Sequence, residues 1–293
     1  MTIEKSTLRM GGPWFKGNLH LHTSRSDGEL GPETVAAKYA AAGYDFIAIT
    51  DHWQTFRRNG DRQPLLILNG IELDGRDAAG RYFHVLVVGP EHPIPQDTPL
   101  VDAIAAACQQ KALVIWAHPH WTGNTVAEAR GHGFDGLEIY NHGCQCEIGK
   151  GYATSQWDEM LETRPEVIGI ATDDAHFTAD SMFWKGGWVM VAAPSCERKT
   201  ILEALRQGRF YASQGPSIHS LEVERDQVRM RTSPIRFARL VGPRCKGEWI
   251  HHAREFTEAA FRLPADWDFV RLEIEDAEGR RAWTNALPVC PRR

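Results

Sequence analysis

The sequence contains no long uninterrupted hydrophobic run. A membrane-spanning helix needs about 20 consecutive apolar residues, and no segment of the 293-residue chain approaches that length. Residues 1–6 also lack the basic and then apolar segments of a secretory signal. These two absences predict a cytoplasmic protein without a membrane partner.

An excess of basic charge is absent as well. The chain has 33 Lys and Arg residues against 38 Asp and Glu residues, a net charge of −5, so it does not attract nucleic acid or anionic membranes in general. No basic stripe accompanies the ten Trp residues, which argues against a nucleic-acid stacking surface. Any anionic small-molecule substrate must therefore be attracted by a local site, and the sequence leaves the oligomeric state undetermined.

Cysteines are few and scattered. Of the six, only Cys144 and Cys146 lie close together, and no second pair stands at zinc-site spacing. We therefore expect reduced thiols and no thiolate metal site.

Up to residue 207, short apolar runs alternate with helical segments. Strands are predicted at 46–50, 65–68, 82–88, 112–117, 136–140, 167–171 and 187–191, and helices at 34–42, 99–111, 155–163 and 195–207. Wholly apolar strands that alternate with helices are typical of a parallel sheet or barrel with both faces covered. Residues 1–213 are predicted to form this α/β domain.

The pattern changes near residue 213, where apolar and polar residues begin to alternate at period two. Such runs occupy 217–223, 227–232, 235–241, 255–263 and 269–275, with a turn predicted at Ser233-Pro234. Period-two alternation indicates antiparallel strands with one solvated face. Residues 214–293 are predicted to form a small antiparallel β-sandwich domain.

Metal-ligand residue types follow or lie in the predicted strands. They are His20, His22, Asp27, His52, Glu72, His84, His118, Asp174 and His176. Strand alternation places His20 and His22 on one side of the chain, opposite Leu19 and Leu21. Singly, each residue could be a helix cap, a surface turn or a core histidine. Because the carboxyl ends of barrel strands converge, together they predict one metal site.

The sequence resembles the PHP (polymerase and histidinol phosphatase) metallohydrolases. The matching motifs are His20-Leu-His22 with Ser26-Asp27-Gly28, Ile49-Thr-Asp-His52, Gly70-Ile-Glu72, His84, Ala117-His-Pro119 and Asp174-Ala-His176, in order along residues 17–176. Residues 208–216 and 282–285 are similar to the branch that includes carbaryl-hydrolase-like proteins.

The resemblance implies a distorted (βα)7-type barrel that holds two or three divalent ions. Carried over residue by residue, the first ion would be bound by His20, His22, Glu72 and Asp174, the second by Glu72, His84 and His118, and the third by Asp27, His52 and His176. Glu72 would bridge two ions. Asp27 stands where some relatives have His, which leaves the third site open.

The chemistry of these residues agrees with a hydrolase. Imidazoles and carboxylates without thiolates suit Zn, Mn or Fe. Bound ions would attract a phosphate, and a pair of them would make a bridging hydroxide at neutral pH. The leading hypothesis is a metal-dependent phosphoesterase acting on a mono- or diester. The alternatives are a carboxyl or carbamate ester hydrolase with the same site, and a non-catalytic metal-binding module.

Residues outside the ligand set are predicted from position alone. Arg25 lies on the loop between His22 and Asp27 and is a candidate for binding a substrate anion. His142 and Lys150 are candidate catalytic groups beside Glu72 and Asp174, because they follow a predicted strand where leaving-group acids would lie. Glu138 lies in the same region and is a candidate to support a metal ligand.

Overall fold

The computed structural model describes residues 7–10, 12–56, 65–178 and 183–287. Within them it contains one 15-stranded sheet and seven α-helices. The strands are β1 (Thr7–Met10), β2 (Trp14–Asn18), β3 (Phe46–Ile49), β4 (Leu66–Arg76), β5 (Tyr82–Val88), β6 (Leu113–Trp116), β7 (Gly136–Asn141), β8 (Ile168–Thr172), β9 (Trp188–Ala192), β10 (Phe210–Ser213), β11 (Ile218–Glu224), β12 (Gln227–Val241), β13 (Gly247–Arg262), β14 (Arg271–Glu275) and β15 (Arg281–Thr284).

The helices agree with the predicted segments to within a few residues where the sequence predicted one. They are α1 (Pro32–Ala41), α2 (Leu100–Gln109), α3 (Pro119–Thr122), α4 (Val126–Ala129), α5 (His142–Ile148), α6 (Thr154–Leu161) and α7 (Arg198–Arg206). Pro32 occupies the first turn of α1, where the missing N–H of proline has no helical partner to lose. None of these seven helices has the length and apolar character needed to cross a membrane.

Strand β3 shows why the early strands are apolar on both faces. Phe46 and Ala48 pack in one core cluster, which also receives residues of α7, whereas Ile47 and Ile49 pack in another beside α1. Both faces of β3 are therefore covered, as the continuous apolar run predicts.

The sheet around β3 is mixed rather than wholly parallel. Pairs β2–β3, β3–β4, β6–β7 and β7–β8 are parallel, but β4–β5 and β5–β6 are antiparallel. Residues 77–81 join β4 to β5, and a link of that length is too short for a parallel crossover. Asp77 closes this hairpin by accepting hydrogen bonds from the backbone N–H groups of Ala79 and Arg81. The fold is mixed α/β.

Beyond β2 the chain continues between two other segments. The N–H of His22 donates to the carbonyl of Ala175 at 2.9 Å, and the N–H of Asp174 donates to the carbonyl of His20 at 3.0 Å. On the other side, the N–H of Thr50 donates to the carbonyl of Leu21. Predicted ligands from the start and the end of this region are therefore hydrogen-bonded neighbours.

The tail differs from its prediction at one proline. The sequence predicted separate strands at 227–232 and 235–241, but both belong to β12, and the pairing of β12 with β13 shifts register between Arg231 and Ile235. Pro234 has no N–H to donate, so it interrupts the ladder without ending the strand. Strand β13 begins at Gly247, earlier than predicted.

The tail is joined to the rest of the sheet and to its core. Strand β10 pairs with β9 on one side and β15 on the other. Trp283 is fully buried in a core cluster that includes Tyr140, and Asn285 accepts a hydrogen bond from the N–H of Gly169 at 2.9 Å. Arg271 donates two hydrogen bonds to the carboxylate of Asp158, at 2.7 and 2.9 Å.

Candidate metal centre

Close contacts link the side chains of the first predicted ligand set. Nε2 of His20 and Nε2 of His22 lie 3.2 Å apart, and each lies 3.1–3.2 Å from Oε2 of Glu72. Oδ1 of Asp174 lies 3.1 Å from the first nitrogen and 3.3 Å from the second. Ligands at about 2.0–2.2 Å from a tetrahedral ion are about 3.3–3.6 Å from one another. The two nitrogens thus lie from each other, and from both carboxylate oxygens, at distances close to those between neighbouring ligands of one ion.

The hydrogen bonding of Asp174 also suits a nearby cation. Oδ1 of Asp174 is buried and makes no hydrogen bond of normal geometry with the described residues, although two imidazole nitrogens lie within 3.3 Å of it. A buried carboxylate oxygen left without a directed donor is costly. A cation between the four atoms would satisfy it.

Glu72 faces a second group of donors with its other oxygen. Nδ1 of His84 lies 2.8 Å and Nε2 of His118 lies 3.3 Å from Oε1 of Glu72. The sequence placed Glu72 after a predicted strand, but Glu72 lies inside β4 and pairs across the sheet in the antiparallel pair β4–β5 that also contains His84. Because β5 runs back along β4, His84 near its start reaches the same end of the sheet.

The side chains of the third predicted ligand set are more exposed to solvent than those of the first. Oδ2 of Asp27 lies 3.3 Å from Nε2 of His176 and 3.6 Å from Nε2 of His52. The side chain of Asp27 is 50% exposed, in contrast to the buried Glu72. The structure thus brings all nine predicted ligand side chains into one cluster, with the third set at its solvent side.

Carboxylates control the charge of the first set. Burial alone would lower the pKa values of His20 and His22, but Asp174, Glu72 and their other acidic neighbours outweigh it and raise both well above the usual range. Burial would likewise raise the pKa of Glu72, but the imidazoles, His20 foremost, hold it well below its usual value. The acidic residues thus favour positive charge at this position, which protons or a metal ion can provide.

Glu138 holds two of the predicted ligand residues in place through hydrogen bonds. It is buried and accepts hydrogen bonds from Nδ1 of His20 at 2.7 Å, the backbone N–H of His118 at 2.8 Å and Nδ2 of Asn141 at 2.9 Å. The hydroxyl of Thr172 donates to it as well. The bond to Nδ1 fixes the ring of His20 with Nε2 toward the other donors, as carboxylates behind metal-binding histidines do.

Two further aspartates, for which we predicted no role, position the ligands. Asp51 accepts hydrogen bonds from the N–H and hydroxyl of Thr23 and from the hydroxyl of Ser26, each at 2.7 Å, which holds the loop that presents Asp27. Asp74 accepts a bond from Nδ1 of His52 at 3.1 Å. Its position two residues after Glu72 was the available signal, since alternate strand residues share a face.

Four of the eight described non-glycine residues with positive φ lie at the cluster. His118 and Asp174 have φ values of 26° and 53°, and Trp53 and Phe177, which directly follow two other predicted ligands, have φ values of 53° and 54°. Non-glycine residues adopt positive φ at a free-energy cost that the surrounding structure must offset, and such residues occur often at functional sites.

A cleft of about 330 Å³ opens above the cluster. We call it the aromatic cleft, since its walls include Trp121, Phe177, Phe183 and Trp184 beside the donor residues. Among the described residues that line it there is no lysine or arginine.

Three predicted residues lie elsewhere. Arg25 is exposed, and its guanidinium lies 5.6 Å from the ring centroid of Phe56. His142 contacts the hydroxyl of Tyr140 at 2.9 Å, and Lys150 is exposed. None of the three lines the aromatic cleft, because position after a strand does not fix the direction of a side chain.

Comparison with known proteins gives one partial relative. The chain matches no protein-family model. Phosphoribosyl 1,2-cyclic phosphate 1,2-diphosphodiesterase from Eggerthella lenta is 30% identical over 118 residues, which are 38% of this chain and 42% of that enzyme. The chain thus spans less than half the length of the curated relative it matches.

A solved structure aligns over almost the whole chain. It is a two-domain protein from Bacteroides vulgatus that contains a predicted PHP-like metal-dependent phosphoesterase, and it aligns over 94% of this chain and 95% of its own, with 18% identity and a TM-score of 0.56. The chain therefore shares the mixed α/β fold of this two-domain, PHP-like neighbour.

Proposed function

We propose that this chain is a metal-dependent phosphoesterase that hydrolyses a small phosphate mono- or diester. The supporting observation is that the Nε2 atoms of His20 and His22 lie within 3.3 Å of each other and of carboxylate oxygens of both Glu72 and Asp174. Glu72 offers its other oxygen to a second donor group. We propose two or three divalent ions, with a third held by the Asp27 group, and the mixed nitrogen and oxygen donors suit Zn, Mn or Fe.

Bound ions would supply Lewis acidity and activate water as the nucleophile. The residues of the chain provide the surroundings. Glu138 orients His20, and Asp51 holds the loop that carries Asp27. The aromatic walls limit access of bulk water and offer contact area to an apolar leaving group. Within the described part of the chain, Arg25, His142 and Lys150 have no contact that supports the roles predicted for them, and those roles stay predictions.

The domain boundary and the family branch are proposals as well. We propose that residues 1–213 correspond to a distorted PHP-like barrel and residues 214–293 to a β-sandwich domain. The resemblance of the tail to carbaryl-hydrolase-like proteins motivates a competing activity toward carboxyl or carbamate esters. Fold alone does not separate these chemistries, so the test must include both.

Protein purified without chelator should contain two or three divalent ions per chain by elemental analysis. We expect it to hydrolyse p-nitrophenyl phosphate or a cyclic phosphodiester, and to lose activity with EDTA and regain it with Zn, Mn or Fe. Glu72→Gln should abolish turnover, because it removes the charge that faces both donor groups. Glu162→Gln, at an exposed position, is the matched control.

Turnover confined to aryl esters would contradict the phosphoesterase assignment and support the competing activity. Bound metal without turnover of any ester would support a non-catalytic module. Wild-type turnover in Glu72→Gln would contradict the site.

A further inference from the structure

A second cleft adjoins the donor cluster. It has a volume of about 650 Å³ and shares three lining residues, His52, His84 and Trp121, with the aromatic cleft. Two of the shared residues belong to the proposed ligand sets. A phosphate at the donor cluster would therefore border both clefts.

Strands β4 and β5 form one wall of this second cleft. Asp74 and Arg76 follow Glu72 at alternate positions of β4, and in the antiparallel register they lie opposite His84 and Tyr82. Directly opposed residues share a face of a sheet. The face that presents donors to the proposed metal ions thus continues without interruption into the second cleft.

The second cleft combines exposed aromatic side chains with charged groups. Tyr82 and Trp121 expose 39% and 38% of their surface, and their rings flank His84 at centroid distances of 5.1 and 5.5 Å. Polar groups lie beside them: the carboxylate of Asp74, 30% exposed, and the guanidinium of Arg76, which uses one N–H to bond the carbonyl of Gly80 at 2.7 Å.

Exposed aromatic faces beside a carboxylate and a guanidinium suit a hydroxylated ring. Hydroxyl groups can donate to the carboxylate of Asp74 and accept from the remaining N–H groups of Arg76. The apolar face of such a ring can pack against Trp121 or Tyr82. Gln96 and Thr98 line the same cleft and add further polar groups.

We propose that the substrate is an asymmetric phosphodiester, with its phosphate at the donor cluster, an apolar or aryl arm in the aromatic cleft and a sugar-like alcohol in the second cleft. This inference rests on the proposed phosphoesterase function and specifies its substrate class. Hydrolysis would add the oxygen of one water molecule to phosphorus and break the P–O bond to one arm. That arm leaves as an alcohol or its anion, the other arm stays on a phosphate monoester, and the protons of water pass to the leaving oxygen or to solvent.

Two diesters with the same scissile bond test this proposal. Thymidine 5′-(p-nitrophenyl phosphate) carries a sugar-like arm, whereas bis(p-nitrophenyl) phosphate carries a second aryl arm. We expect wild-type kcat/KM to be about tenfold higher for the thymidine diester, and Arg76→Ala to reduce this preference about fivefold or more, mainly through KM. Gln96→Ala, at an exposed position, should reduce it in the same direction. Calorimetry should also show weaker binding of thymidine 5′-phosphate to both variants.

The control is Arg254→Ala, which removes an exposed arginine from β13 and should preserve the wild-type preference. Equal kcat/KM for the two diesters in the wild type, or a preference that both cleft variants retain, would overturn the proposal while the phosphoesterase function stands. Failure to hydrolyse any phosphoester would instead overturn the proposed function, and the substrate inference with it.

Discussion

Glu138 accepts a hydrogen bond from Nδ1 of His20 across 2.7 Å, at a position where neither side chain reaches solvent. Three more donors converge on the same carboxylate: the hydroxyl of Thr172, an N–H of the Asn141 amide and the backbone N–H of His118. One buried acidic residue thus orients one proposed ligand and the backbone of another.

Glu138→Gln should weaken metal binding. The amide would present N–H groups where the carboxylate accepts, so at least one buried donor would lose its partner. We expect a 10- to 100-fold loss of metal affinity, about the range for residues behind metal ligands, measured by competition with a chromophoric chelator. Glu162→Gln should keep wild-type affinity. Unchanged affinity in Glu138→Gln would contradict the orienting role.

Asp174→Asn should abolish turnover and leave the fold intact. The substitution preserves side-chain size but removes the negative charge beside His20 and His22. We expect kcat for an aryl phosphate to fall at least about 100-fold, while the circular dichroism spectrum stays that of the wild type. Asp97→Asn, at an exposed position, is the control. Wild-type kcat in Asp174→Asn would refute its assignment as a ligand.

The stability of metal-free protein should fall as the pH rises above neutral. Unfolded histidines titrate near about 6.5, and in the folded protein acidic neighbours raise the pKa values of His20 and His22 well above that value. The stabilisation is therefore fully present below about pH 6.5 and is lost as the pH passes through the raised folded values. Thermal unfolding of EDTA-treated protein across neutral and alkaline pH measures this effect.

Metal-loaded protein should show the opposite trend over the same range, because a rising pH removes the protons that compete with the ion. Parallel pH profiles for the two forms would contradict the assignment of these histidines as ligands.

Asp77→Ala should destabilise the β4–β5 hairpin. The Arg81 side chain, by its hydrogen bond, lowers the pKa of Asp77 to about 2. A carboxyl with a lowered folded pKa stabilises the protein above its unfolded pKa, and that contribution is lost as the pH falls toward about 2. We expect Tm to drop by a few degrees at neutral pH and the difference to shrink in acid, where the protonated carboxyl keeps only its acceptor role. Asp97→Ala is the control, and an equal Tm for wild type and Asp77→Ala at neutral pH would contradict this role.

The sequence predicted which side chains lie close together more accurately than it predicted the strand directions that bring them there. His20, Glu72 and Asp174 were grouped from residue type and strand position, and Nε2 of His20 lies within 3.2 Å of a carboxylate oxygen of each of the other two. The reversal of β5 was missed, because the pattern of apolar residues does not record strand direction. His84 reaches the cluster through that reversal.

Interactions that depend on side-chain direction were the least predictable. Glu138 was noted from its position, but its four donors come from separate segments, so its role depends on the assembled fold. His142 failed to reach the cleft for the same reason, since its ring turns toward Tyr140. We predicted a turn at Ser233-Pro234, because the sequence does not show that the neighbouring strands continue past the proline.

The contacts of Trp283 and Asn285 bear on how this protein can be divided. A truncation after residue 213 would remove an indole from the core that holds Tyr140, and would leave the N–H of Gly169 without its partner. It would also uncover the edge of β10, whose backbone groups now pair with β15. We therefore expect the N-terminal portion to lose stability when it is separated from its tail, and a replacement tail would have to supply an equivalent tryptophan, amide and strand.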